Sequence, residues 1–185
     1  MVSDMFSGTW YATCITVGVI VGLLISIIVI KFTNKDGKSK TQYDEMQEME
    51  RGKGYKYGFW SMCGVGAFIG CLSLFDIKLP FDTFTLFLMV IIAGALVQAS
   101  YCIMKDAYIG LNTNKVRTGI ALVIIGLVNL FNVVLFIVQG KFFVDGMFNA
   151  SFSNLLCGLA MLFIGVMFII RNAVTKKEDS DDEES

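Results

Sequence analysis

The sequence predicts an all-α integral membrane protein, a bundle of five transmembrane helices with the N-terminus outside and the C-terminus cytoplasmic. Three observations carry that reading. Five apolar stretches, about 10–30, 58–75, 84–104, 118–138 and 153–170, are each close to the length that crosses roughly 30 Å of hydrocarbon at about 1.5 Å per helical residue. Of the 15 Lys and Arg, all but Lys78 and Lys141 fall after the first, third or fifth stretch, and short flanks rich in Lys and Arg stay cytoplasmic. A content of 55 % hydrophobic against 17 % charged residues excludes an ordinary soluble domain.

The 185 residues make one domain. Residues 1–174 read as the transmembrane domain with a cytoplasmic loop at 31–57, and 175–185 as an acidic disordered tail. The first stretch, Trp10–Ile30, is preceded by Asp4 and by no Lys or Arg, so it is expected to stay as a membrane helix rather than leave as a secretory signal. It carries Gly18 and Gly22, and the second stretch carries Gly66 and Gly70. These small-xxx-small pairs are the candidate helix-packing residues, because lipid supplies no hydrophobic drive and close backbone approach must replace it.

Between those stretches, Thr41 is placed to cap a helix with Asp44 at its third position. Met46 and Met49 share a face, Gly52 and Gly54 are expected to loosen the junction to the second span, and Tyr55, Tyr57 and Trp60 suit the inner interface. Asp76–Asp82, with the single proline Pro80, reads as a tight external turn. The third helix can run past the membrane through Lys105, Asp106, Ala107 and Tyr108 until Asn112-Thr113-Asn114 breaks it. The apolar loop 141–148 is expected on the outer headgroups, and Arg171 ends the fifth helix where it can snorkel. Ile103-Met-Lys-Asp-Ala107 and Ile169-Ile-Arg-Asn-Ala173 end successive hairpins alike, which reads as a weak parallel repeat or as coincidence.

Two groups of residues are candidates for function. On the cytoplasmic side, Lys105 and Asp106 can pair with Asp44, Glu48, Arg51 or Lys53. This is either an exposed ion-pair network, at about 0–1 kcal/mol per pair, or a docking platform or latch for a cytoplasmic partner. Within the spans, Gln98, Asn129 and Asn132 are the polar side chains; they either bind neighbouring helices together or line a neutral cavity. Counting from the inner ends, Gln98 and Asn129 differ in depth by about 8 Å, so a direct bond between them needs a tilt or a slide.

No Asp, Glu, Lys, Arg or His sits in the middle of a span, and the chain has no His at all. Proton-coupled carriers and voltage sensors depend on such groups, and intramembrane hydrolysis on acid–base or nucleophile–base pairs. Cys14, Cys71 and Cys157 lie at similar depth, which allows a disulfide or a soft-metal site, against the ordinary reading of cysteine as a small hydrophobe. No cofactor is implied, and nucleic acid is excluded because no basic patch lies on a foldable soluble element. The basic face suits the anionic lipid of an inner leaflet.

The run Asp44-Glu-x-Gln47…Arg51-Gly-Lys53-x-Tyr55-Lys-Tyr57-x-Phe59, followed by Lys105-Asp-Ala-Tyr108…Leu111-Asn112, resembles a group of small uncharacterised bacterial multi-pass membrane proteins. Met46 departs from the Arg expected in that motif. The resemblance implies a bacterial inner-membrane setting and carries no activity with it. The expectation is a non-enzymatic membrane protein acting by protein or lipid contact, with transport of a neutral or lipid-like solute as the alternative. Its partners are then the bilayer, a membrane or cytoplasmic protein, or a second copy of the chain.

Overall fold

A capping box starts the first continuous helix of the computed structural model. Asp44 accepts a hydrogen bond from the Gln47 amide at 2.6 Å, and Gln47 Oε1 accepts one from the Asp44 amide at 3.4 Å. The two satisfy amides that a helix N-terminus otherwise leaves open. The cap is therefore Asp44; Thr41, the expected one, lies outside the described residues. Described are residues 20, 24–28, 31–32, 42–75, 77, 79–111, 113–144, 146–148 and 151–183. The first apolar stretch is helical at its described positions, while Gly18, Gly22, Cys14 and Asn112 lie outside them.

Four long helices follow: α1 (Glu45–Leu74), α2 (Thr83–Met104), α3 (Lys115–Val138) and α4 (Ser151–Glu183). All four are long and apolar enough to cross a membrane, so by length and composition this is a multi-pass membrane protein. The helix α1 runs unbroken through Gly52 and Gly54. At 30 residues it is about 45 Å long, more than a bilayer's hydrocarbon needs. The expected loosening at the two glycines does not occur. Gly54 instead makes room for α2, since a Cβ there would lie 2.5 Å from Cys102 Sγ. The helix α4 continues to Glu183, through most of the segment read as a disordered tail.

The helix α2 stops at Met104 rather than running on to Tyr108. Asp106 adopts a left-handed backbone, φ 53°. Its amide returns to the Ile103 carbonyl at 3.1 Å and the Ala107 amide to that of Cys102 at 2.8 Å. That is a Schellman termination with aspartate where glycine is usual. Asn114 then caps α3 by accepting from the Arg117 amide at 3.1 Å.

The helices pack in the order α1–α2–α4–α3. Glycines decide where backbones meet. A Cβ on Gly58 would lie 2.9 Å from the Gly94 carbonyl oxygen, at the α1–α2 crossing. Gly119 faces Gly165 and Gly126 faces Gly158 across the α3–α4 contact, with Cβ-to-carbonyl distances of 3.0–3.3 Å. The heptad spacing along both helices is that of a coiled-coil seam. Of the expected pair on α1, Gly66 makes only ordinary contact with Val90, and a Cβ on Gly70 would meet nothing within 4 Å. The Gly66–Gly70 pattern thus makes no close approach among the described residues.

At the Pro80 end, the apolar loop forms an antiparallel pair of two-residue strands, β1 (Phe143–Val144) and β2 (Met147–Phe148), with Gly146 at φ 80° in the turn. The Phe148 amide donates to the Pro80 carbonyl at 2.9 Å, joining the two loops. Phe81 and Phe142 pack with Phe148 and Phe152 in one ring cluster. Beneath it, Thr85 donates to the Asp82 carboxylate and lies 3.4 Å from Ser153 Oγ, linking α2 to α4.

Overpacking a close backbone contact typically costs about 1–3 kcal/mol. Gly58→Val and Gly126→Val are therefore expected to lower the free energy of unfolding in detergent by that amount, while Gly70→Val leaves it unchanged. An equal loss for Gly70→Val would refute the assignment of the contacts.

Candidate functional site

The most deeply buried part of the chain lies at its basic end. Ala99 and Ile103 of α2, Ile109 of the following loop, and Ile164 and Phe168 of α4 form one cluster, with Tyr108 against Phe168 at 5.3 Å between ring centroids. Ala107 is fully buried. The loop is held this tightly because its polar groups are satisfied inside the bundle. The Leu111 amide donates to the Gln42 carbonyl at 2.8 Å, and the Gln47 amide nitrogen, Nε2, donates to the carbonyls of Asp106 at 2.8 Å and Ile109 at 3.3 Å. One glutamine thus caps α1 with its oxygen and holds the loop with its nitrogen.

Asp106 sits where all these elements meet. Its carboxylate accepts from Lys115 at the start of α3 at 2.7 Å, and from Arg171 Nη2 on α4 at 2.9 Å with Nε at 3.2 Å. Its carbonyl accepts from Gln47 of α1. A single residue, itself the end of α2, therefore bonds to each of the other three helices. Burial opposes its charge, but the hydrogen bonds from Lys115 and Arg171, with their positive charges, outweigh burial and hold the carboxyl below the usual carboxylate range.

The partners differ from the expected ones. Asp106 pairs with Lys115 and Arg171, neither of which belongs to the motif in the first loop. Arg51 stacks 3.9 Å over the Tyr43 ring and donates to the Tyr108 carbonyl at 3.5 Å and to the Tyr55 hydroxyl at 3.2 Å. Lys53 pairs with Glu50 at 2.6 Å, and the Tyr101 hydroxyl donates to the other Glu50 oxygen at 2.6 Å. Glu50, 8 % exposed, is the acid that sequence reasoning passed over. Its signal was present: it lies three residues before Lys53 and one helical turn before Gly54. Asp44 is spent on the helix cap. Glu48 and Lys105 are exposed and make no ion pair among the described residues. Met46 and Met49 are exposed as well.

The intramembrane polar residues are not brought together. Gln98 lies at the α1–α2 crossing, where its Cβ faces Gly58. Asn129 and Asn132 are on α3, which packs on α4. Each asparagine donates to the carbonyl four residues back on its own helix, Asn129 to Ile125 at 2.9 Å and Asn132 to Val128 at 3.0 Å. Cys63, Cys71, Cys102 and Cys157 are free thiols. Among the described residues no three His, Cys, Asp or Glu converge in a way that would hold a metal ion.

An open cleft adjoins the Asp106 junction, lined by Gln47, Gly110, Leu111, Asn114, Asn172 and Thr175 among others. Leu111 stands exposed at its rim. The cleft offers amide, hydroxyl and charged groups beside the aliphatic side chains of Ile109, Leu111 and Val116.

Two consequences are measurable. Asp106→Ala removes both partly exposed ion pairs, at about 0–1 kcal/mol each, and puts a less tolerant residue in a left-handed conformation, at about 1–2 kcal/mol. A loss of about 2 kcal/mol is expected, against about 1 for Asp106→Asn, which accepts that conformation. Because the folded carboxyl titrates below its unfolded value, its contribution is complete above the ordinary carboxylate range and is lost as pH falls through the lowered value. Acid unfolding curves of the wild type should show that loss, and those of Asp106→Asn should lack this component.

Comparison with known proteins gives no assignment: no family model, no curated protein and no solved structure matches the chain.

Proposed function

We propose that this chain is a non-enzymatic multi-pass membrane protein that acts by contact, as an accessory, regulatory or protective component, through its basic end. The observation that carries the reading is the Asp106 junction. It ties four helices into one polar platform and leaves an open cleft with Leu111 at its rim. In this reading the first apolar stretch is a fifth span. The N-terminus lies outside, the basic end faces the cytoplasm, and the setting is the bacterial inner membrane of the proteins the chain resembles. The charge asymmetry supports the orientation.

Transport of a neutral solute gains no support from the residues it relied on. Asn129 and Asn132 turn their donors back onto α3, and Gln98 is on α2, whereas α3 packs on α4.

Single cysteines introduced in place of Met147 and Thr113 test the orientation in intact cells. Position 147 is expected to react with an impermeant maleimide, and position 113 only after permeabilisation; the reverse pattern would overturn the placement. For the contact itself, Leu111→Asp should abolish recovery of a cross-linked protein partner while Asn129→Leu and Asn132→Leu retain it. If the asparagine variants lose a solute flux and Leu111→Asp changes nothing, transport is the better reading.

A further inference from the structure

The α1–α2 seam carries a second feature at the basic end, on the flank away from Arg51 and the cleft. Glu50 is buried in the seam, and its two oxygens are taken by Tyr101 and Lys53, each at 2.6 Å. Those bonds fix where the Lys53 ammonium sits. An ammonium has three N–H donors, so Lys53 keeps two for a ligand, and its side chain is 47 % exposed. Lys56, three residues on, projects from the same flank of the helix and is exposed. Lys105, the first residue after α2, is also exposed and near enough for its charge to act on Glu50. Lys53 and Lys105 thus stand near one buried carboxylate, and Lys56 lies one turn beyond Lys53 on the same flank of α1, so the flank keeps a clear positive excess.

Its depth narrows the partner. Lys105 directly follows the apolar α2. Tyr57, whose ring contacts Tyr101 at 4.9 Å, and Trp60, 64 % exposed, lie within about one turn of Lys56 toward the apolar part of α1. Amphipathic aromatics of this kind sit at headgroup level. The cations lie just beyond them, where lipid phosphates are found.

We propose that Lys53, Lys56 and Lys105 form a binding site for the phosphodiester of an anionic phospholipid, with Tyr57 and Trp60 flanking its glycerol and upper acyl region. The inference rests on the reading that this end meets a membrane surface. It does not depend on a protein partner, so its test in purified protein and the cross-linking above fail independently.

Trp60 is a built-in reporter once Trp10, the other of the two tryptophans, is changed to Phe. The full chain carrying Trp10→Phe is reconstituted in phosphatidylcholine vesicles. These contain an equal mole fraction of either brominated phosphatidylglycerol or brominated phosphatidylcholine, and quenching of Trp60 is compared. The anionic lipid is expected to associate about threefold or more tightly, because each lysine near the headgroups favours negative charge there. Lys56→Gln with Lys105→Gln, both exposed positions, should bring the ratio near one, as should Lys53→Gln alone in part. Arg117→Gln, on α3, should leave it unchanged. A ratio near one in the parent, a ratio that survives the double substitution, or an equal fall with Arg117→Gln would overturn the site. So would loss of the preference on adding inorganic phosphate, which would mark a soluble anion as the ligand.

Discussion

Asp106 is a charged residue in a backbone conformation that costs energy, and the basic end of the bundle is organised around it. The left-handed turn ends α2 and at the same step directs the carbonyl toward α1 and the carboxylate toward α3 and α4. In hydrocarbon, helices gain little from burying apolar surface against one another, because lipid tails are as apolar as leucine. What holds such a bundle together is close packing and a few polar ties. Here the packing comes from glycine contacts along the helices, and the ties concentrate at one residue beyond the end of α2. The strain at φ 53° is tolerated because aspartate accepts this region better than most residues, and because the same side chain gains two cations in that position.

The order α1–α2–α4–α3 follows from where those contacts fall. The helices α2 and α4 meet through Ala99, Ile103, Ile164 and Phe168 at one end and through Thr85 and Ser153 at the other. The outer two helices are each held along one side, α1 by Gly58 against Gly94 and α3 by its paired glycines. Two hairpins thus join through their second helices, the arrangement a parallel repeat would produce. The matched sequences at their ends nevertheless fold differently. Asp106 turns the chain, whereas Asn172, its counterpart, is an ordinary helical residue on a helix that continues to Glu183. A left-handed residue with two cations facing it stops one helix; nothing comparable stops the other.

Much of the fold could be read from the chain, and the failures are instructive. The second to fifth apolar stretches correspond to α1 to α4, because a run of apolar residues long enough to cross lipid has few alternatives to a helix. Small-residue spacing was a poorer guide. Gly66 and Gly70 match the expected pattern but make no close approach among the described residues, while Gly119, Gly126, Gly158 and Gly165 pack at heptad spacing. A pattern along one helix says that a neighbour can come close, but the crossing angle decides where it does. The candidate ion pairs fared similarly. Asp106 lies beside the first loop and accepts from Gln47 there, yet its ion-pair partners come from the other hairpin.

Helix positions and the concentration of positive charge at one end were determined by the sequence alone, since hydropathy and charge belong to residues taken singly and need no knowledge of neighbours. The tertiary structure decided which glycines touch, that the acid beside Lys53 is Glu50, and that Asp106 joins four helices. Those are relations between segments as much as 65 residues apart. They depend on angles and depths of crossing that change by several ångströms with a tilt no single stretch of sequence specifies.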